Sequence, residues 1–335
     1  MTEAPLRTGI VGTGAWGTHI AAQFHEHPDA TVVALADVSE RSRERAGETL
    51  TVDATHQYEE FEDMLESESL DALQVSSPHT FHAAQIHHAL EDGLHVFCEK
   101  PLTIGVDSAR RLVEEAADTD RTVMVGYQRH VHPAYLEVKR AIEGGVIEPK
   151  LVTAELTQGW FEKVDGTWRV DPRLSGGGQL YDSGSHLVDA ICWLLGSRPT
   201  HVTAEMVFAD EDERIDVQAV LAVRFESGAV ASITVSGDAP DVYERIAVRG
   251  GGRAVIEGSG WDRRSATVLD AADAELASVA GDLSSYDKVD AFVRAVRNGT
   301  EPPATARDAF YTTALTETAY EAVRTGERVA VDTDL

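Results

Sequence analysis

The stretch GGGQLYDSGSHLVDAICWLLG, residues 176–196, sets Asp182, His186 and Asp189 four and three positions apart in an otherwise apolar segment. Those intervals put the three side chains on one face of a helix, while Leu187, Ile191, Leu194 and Leu195 turn toward a core. An imidazole beside a carboxylate is equipment for proton transfer, because histidine titrates near working pH. Asp182 and His186 are therefore the catalytic candidates and are expected to face a cleft. Asp189 reads as a structural acid.

A third reactive group stands at the end of a β-rich run. LHVFCEKPLT closes on Glu99-Lys100-Pro101, and in an open parallel sheet ligands bind beyond the carboxyl ends of the strands. Lysine is scarce here: it occurs only at 100, 139, 150, 163 and 288, so 24 of the 29 basic residues are arginine. Lys100 can donate a hydrogen bond to an oxygen as negative charge develops on it, and Asp182 can hold a neighbouring hydroxyl or orient the imidazole.

The cofactor signal lies at the start of the chain. GIVGTGAWGTHIAAQF carries Gly12, Thr13, Gly14, Ala15, Trp16 and Gly17 in G-x-G-x-x-G spacing between a strand and a helix, where glycines let a pyrophosphate approach the helix N–H groups. Asp37 follows 20 residues beyond Gly17; a carboxylate there accepts from ribose hydroxyls and repels a 2′-phosphate. NAD is the expected cofactor, with NADP open because Ser39 and Arg41 stand close. Ser76, Ser77 and Pro78 end another strand on the same side, where His82 at the start of the following helix and Glu99 beside Lys100 are further expected cofactor contacts.

These groups need two kinds of scaffold. Residues 1–126 alternate β-rich runs (RTGIVG, TVVALAD, LDALQVSS, LHVFCE, TVMVGY) with amphipathic helical segments, the mark of a doubly wound parallel sheet. After a helix at about 133–144, strands follow one another: KLVTAELTQGW, HVTAEMVFA, VQAVLAVRFESG, AVASITVSG, YERIAVRGGG and RAVIEG. Such runs joined by glycine-containing turns form a large, mostly antiparallel sheet with one open face. The acidic run ADEDERID between two of them reads as a solvated loop. Helices at 284–298 and 304–325 close the chain. The expected fold is α/β: a Rossmann domain over 1–126 and an α+β domain over 127–335 for substrate and oligomerisation, the 304–325 helix packing back on the first.

Composition narrows the partners. A net charge of -28 repels nucleic acid and anionic membranes. No apolar run is long enough to span a bilayer and no leader pattern opens the chain, so a cytoplasmic protein is expected. Cys98 and Cys192 read as buried thiols. His79, His87 and His88 read as surface residues rather than metal ligands, since neighbours on a helix cannot face one way. An acidic, lysine-poor surface suits concentrated salt, which screens its self-repulsion. The unfolding midpoint is expected to rise between low-salt buffer and molar KCl; equal midpoints would remove that reading.

Taken in order, Gly12 to Gly17, Ser76-Ser77-Pro78 with His82, Glu99-Lys100-Pro101 and the 176–196 stretch resemble the Gfo/Idh/MocA family, the glucose-fructose oxidoreductase and inositol dehydrogenase group, over nearly the whole chain. The resemblance implies a Rossmann domain, a dimer- or tetramer-forming open sheet, a tightly held nicotinamide cofactor, and a sugar or cyclitol substrate. It also implies that Lys100, Asp182 and His186 form the catalytic group. GYQRHVHP matches the family's G-Y-N-R-R-F-x-P segment at Gly126, Tyr127, Arg129 and Pro133 and departs at Gln128, His130 and Val131. Gln128, Arg129 and His130 are thereby candidates for touching cofactor or substrate. GTWRVDP matches the lead-in to the catalytic helix, making Trp168 a pocket wall and Arg169 a hydroxyl donor, with Trp160 and Phe161 as packing or wall. The other functions considered are a non-catalytic dinucleotide- and sugar-binding regulator, against which the retained proton-transfer groups argue, and the same chemistry on a nucleotide sugar or a non-sugar.

Overall fold

The computed structural model describes residues 4–282 and 288–335, and these separate into two compact units. The expected start of a helix at 284 lies outside the described residues.

The first unit takes residues 4–103, 107–126 and 288–306. Its strands are β1 (Leu6–Val11), β2 (Ala30–Ala36), β3 (Gln57–Tyr58), β4 (Ala72–Val75), β5 (His95–Cys98) and β6 (Val123–Val125), and its helices include α1 (Ala15–Glu26), α2 (Glu40–Leu50), α3 (Phe61–Ser67), α4 (His79–Glu91) and α5 (Val106–Ala117). The strands pair in the order β3-β2-β1-β4-β5-β6, every pair parallel, and order reversal at β1 and β4 brings the ends of both to one crevice. β4 is buried at each position, as a strand covered on both faces must be.

The last helix of this unit was read from sequence as part of the second. α10 (Lys288–Asn298) sends Val289, Phe292 and Val293 into the same core as Ile10, Ile20, Leu35 and Met124. Phe292, Phe24 and Phe97 meet edge to face at 5.8–5.9 Å, a preferred arrangement of ring quadrupoles. Past α10, Val125 N–H donates to the Ala304 carbonyl and Met124 bridges to Thr305, which covers the β6 edge. α10 is thus a late segment built into the first core. That final helix, α11 (Ala306–Thr325), belongs from 307 onward to the second unit.

The second unit is built on a 9-stranded sheet. Its strands are β7 (Leu151–Gly159), β8 (Pro199–Phe208), β9 (Asp216–Phe225), β10 (Val230–Ser236), β11 (Asp238–Arg249), β12 (Arg253–Ser259), β13 (Arg263–Leu269), β14 (Glu275–Asp282) and β15 (Val329–Ala330). They run in the order β14-β13-β12-β11-β7-β10-β9-β8-β15, antiparallel except for β7 with β10. β9 alternates buried and exposed positions, the signature of a sheet covered on one face. α6 (Pro133–Glu143) packs on β13 and β14, and α9 (Ser185–Leu195) packs on α6 and β7. α7 (Trp160–Val164) and α8 (Pro172–Ser175) are short connections. β13 and β14 escape a pattern reading: arginines open one, alanines, glycine and acids dilute the other, and their β-propensity is weak. Among the described residues no helix is long and apolar enough to cross a membrane.

Candidate functional site

The glycine-rich turn of the first unit is built to leave a helix start open. Gly12 sits at φ +85, and a Cβ on Gly17 would lie 1.9 Å from the Gly12 carbonyl oxygen, so the turn can close only on glycine. A Cβ on Gly14 would meet nothing within 4 Å. Gly14 caps α1 without a side-chain acceptor, and no acid stands in the first turn. The first N–H groups of α1 thus have the geometry that accepts a phosphate, with Thr13, Ala15 and Trp16 beside them. Trp16 is half exposed at 49%.

Asp37, just past β2, closes this turn. One carboxylate oxygen accepts from the Thr13 N–H at 2.7 Å and its hydroxyl at 3.2 Å, and the other accepts from the Ser39 N–H at 2.9 Å. The Arg43 guanidinium donates to the Asp37 carbonyl, while Arg41 points into solvent. The cation beside Asp37 is therefore Arg43, which the sequence reading passed over in favour of Arg41.

Past β4, Gln74 donates to both the Gly17 carbonyl and the Ser76 hydroxyl at 2.9 Å, fixing Ser76 to the glycine turn. Ser77 donates to Gln85 at 2.6 Å, and Pro78 caps α4. His82, in the first turn of α4, is 1% exposed, and its ring nitrogens lie 2.9 Å from the carbonyls of Ser77 and Pro101. It ties the strand end after β4 to the one carrying Lys100. His79 is buried as well, at 3%, not a surface residue. Both sit at the α4 start, which turns into the core.

Glu99 and Lys100 differ in burial. Lys100 is half-buried. Glu99, 5% exposed, pairs with Lys288 of α10, whose ammonium lies 5.3 Å from the Trp16 ring centroid. Glu99 also fills the space over Gly126, where a Cβ would lie 3.0 Å from its carboxylate. Lys288 was missed, because its partner is 189 positions away.

In the second unit the expected continuous helix is interrupted. Leu180–Gly184 forms a π turn before α9 begins at Ser185, so Asp182 sits in the wide turn and His186 in the first turn of α9. Such turns recur at functional sites. Asp182 and His186 are each 6% exposed. One Asp182 oxygen accepts from the Trp160 indole N–H at 2.7 Å and lies 3.3 Å from Arg169 Nε. The Arg169 guanidinium stacks 4.6 Å over Trp168. The His186 ring has Tyr127 edge-on at 5.8 Å and Trp261 at 6.0 Å. Asp182, Arg169, Trp168 and Trp160 therefore form one cluster; Trp160 both packs, against Val164 and Ile215, and orients the acid. Trp261 carried no signal in the sequence.

Two candidates are buried and paired. His130 is 1% exposed; its Nε2 lies 3.0 and 3.1 Å from the Asp189 carboxylate oxygens, and its ring stacks on Trp193 at 4.4 Å. Burial pushes the Asp189 carboxyl up against the pull of His130. Asp189 thus points into the interior, not along a polar cleft. Arg129 is 3% exposed and donates from Nε to Glu244 at 2.9 Å. Both are held by buried carboxylates. Gln128, between the strand end and Arg129, stays half-buried.

Residues 6–127 match a family described as an oxidoreductase family with an NAD-binding Rossmann fold, and residues 135–259 match the GFO/IDH/MocA C-terminal domain. The chain is 28% identical to the D-xylose 1-dehydrogenase (NADP+) of Haloarcula marismortui, over 99% of this chain and 94% of that one. It is 29% identical to D-xylose 1-dehydrogenase (NADP+) 2 of Haloferax volcanii, over 97% of this chain and 99% of that one. The crystal structure of aldose-aldose oxidoreductase from Caulobacter crescentus, complexed with glycerol, superposes with a TM-score of 0.81 at 22% identity, over 98% of this chain and 100% of that one; it shows the same fold.

Proposed function

Because the chain belongs to the Gfo/Idh/MocA family of NAD(P)-dependent oxidoreductases, we propose that it oxidises an aldose, or reduces the corresponding product, at a hydroxyl-bearing carbon. Bound at the open start of α1, the nicotinamide cofactor would take up the hydride. His186 takes the hydroxyl proton, Lys100 donates to the oxygen as charge builds on it, and Asp182 holds a neighbouring hydroxyl. The supporting observation is the aim of Asp182: Trp160 and Arg169 fix a nearly buried carboxylate one helical turn ahead of His186, with aromatic rings at Trp168 and Trp261 suited to sugar C–H faces. The two full-length relatives named for D-xylose support an aldose over an inositol.

A panel of aldopentoses, aldohexoses and inositols with NAD or NADP, followed by nicotinamide absorbance, tests this. Turnover of an aldose is expected. Turnover of inositols alone would move the substrate class, and tight nucleotide binding with no turnover at all would favour the regulatory reading.

Both cofactors are expected to serve. Asp37 favours NAD, yet its carboxylate is held by Thr13 and Ser39, and Arg43 stands beside it as a partner for a 2′-phosphate. Arg43→Ala is expected to lower kcat/KM for NADP by about tenfold or more, the worth of a charge-assisted hydrogen bond, and to leave NAD nearly unchanged. Equal losses with both cofactors would remove Arg43 from the phosphate site. The exposed Val207, Val220, Val230 and Leu276 on the sheet of the second unit support self-association there.

A further inference from the structure

We propose that Asp216 is a positioning residue for the reaction: from the first residue of β9 it caps the turn that aims Asp182 and His186. The proposal rests on the acid–base reading of those two residues. In sequence Asp216 ends the acidic run ADEDERID, whose residues 211–213 are exposed, but Asp216 itself is 0% exposed.

Its carboxylate is committed to the backbone ahead of Asp182. One oxygen accepts from the Gly178 N–H at 3.0 Å and the other from the Leu180 N–H at 2.8 Å. Tyr320 of α11 donates its hydroxyl hydrogen to the first oxygen, and its own oxygen shares the Gly178 N–H at 3.1 Å. The start of a helix leaves N–H groups without partners, and neither Gln179 before the π turn nor Gly184 before α9 supplies a side-chain cap. The acceptor comes instead from a strand 36 positions later, and an ionised acceptor at a helix start is the strong form of such a cap.

The approach is close enough to dictate sequence. A Cβ on Gly178 would lie 2.2 Å from the Asp216 carbonyl oxygen, and one on Gly177 would lie 2.3 Å from the Tyr320 hydroxyl oxygen. The glycines of GGGQ thus admit the cap. The Asp182 N–H donates to the Gly178 carbonyl at 3.0 Å, so Gly178 is gripped on both sides, by Asp216 at its N–H and by Asp182 at its carbonyl. The preceding residue, Ile215, packs on Trp160, whose indole holds the Asp182 carboxylate. Two consecutive residues at the entry to β9, Ile215 just before it and Asp216 at its start, therefore support Asp182 from its side chain, through Trp160, and from its backbone. Burial pushes the Asp216 carboxyl up to about 6 in spite of its hydrogen bonds, so an ionised Asp216 costs stability at neutral pH. An acid kept at such a cost is accounted for by what it aims.

Asp216→Asn retains one acceptor and sets an amide donor against a backbone N–H. In the full chain it is expected to lower kcat by about tenfold or more with KM for sugar changed far less, as for a group acting only on the reacting geometry. Nucleotide affinity, read by fluorescence titration, should stay at the wild-type value. Introduced into His186→Ala it should cause little further loss, because the two act through one turn. Tyr320→Phe, which removes one donor from the cap and leaves the carboxylate, should give a smaller loss in the same parameter and carries the test if Asp216→Asn does not fold. A folded Asp216→Asn protein with wild-type kcat overturns the proposal, as does a full additional loss in the His186→Ala background. Wild-type turnover of His186→Ala alone overturns instead the acid–base reading on which the proposal stands.

Discussion

Replacing Lys100 by Met, or His186 by Ala, is expected to lower kcat by about a hundredfold or more, the usual scale for a positioned proton-transfer or charge-stabilising group. As hydride leaves carbon, the hydroxyl proton must leave oxygen, and without a base or a donor the alkoxide forms unassisted. His186 is suited to that load: it is nearly buried and flanked by Tyr127 and Trp261, so its ring is held by packing. Nucleotide affinity should survive both changes, since the glycine turn, Asp37 and Ser76 are held without either residue. Stopped-flow turnover beside a fluorescence titration of NADH separates the two quantities. Near-native turnover in both variants would refute the assigned roles.

The largest effect on stability is expected at Glu244. Its carboxylate, 0% exposed, accepts from Arg129 at 2.9 Å, lies 3.3 Å from Arg264, and takes the Tyr135 hydroxyl as well. Burial alone would push this carboxyl up, but the Arg129 and Arg264 guanidiniums overcome burial and hold it at about 2. The same two cations, added to burial, bring His132 down to about 4. Glu244→Gln would strand two buried guanidiniums and is expected to destabilise the protein by about 3–5 kcal/mol, the cost of removing one partner from a buried ion pair. The sign of the pH dependence follows from the lowered value. The contribution of Glu244 is complete above the ordinary carboxyl value of 4.5 and disappears as pH falls through about 2. Urea unfolding of wild type and variant should therefore differ most near neutrality and converge toward pH 2. A constant difference across that range would show that the charge is not what matters.

This network also shows why the partner of Arg129 could not be read from sequence. The motif around Tyr127 is local and legible, but a guanidinium reads alike whether it awaits a sugar hydroxyl or a carboxylate 115 positions away. The partner of His130 was hidden for the same reason, Asp189 lying 59 positions on. Asp182 and His186 were legible because their relation is set by helical geometry within five residues. The π turn between them was not, since one additional residue per turn leaves no mark on a spacing of four.

Sequence alone determined what depends on neighbours: the glycine turn after β1, the acid closing β2, the lysine at the end of β5, the alternation that makes one unit parallel and the other antiparallel, and the family that this order of motifs marks. Each rests on backbone conformation or on a periodicity of two to four residues. Tertiary structure decided which polar groups are sealed in the interior and against what. It assigned Lys288 to Glu99, Glu244 to two arginines, Trp160 to Asp182, and the last acid of an apparently solvated run to the glycines ahead of the candidate catalytic turn. A buried charge or donor must find a partner wherever the fold brings one, and that choice is made across tens to hundreds of positions, beyond the reach of local pattern.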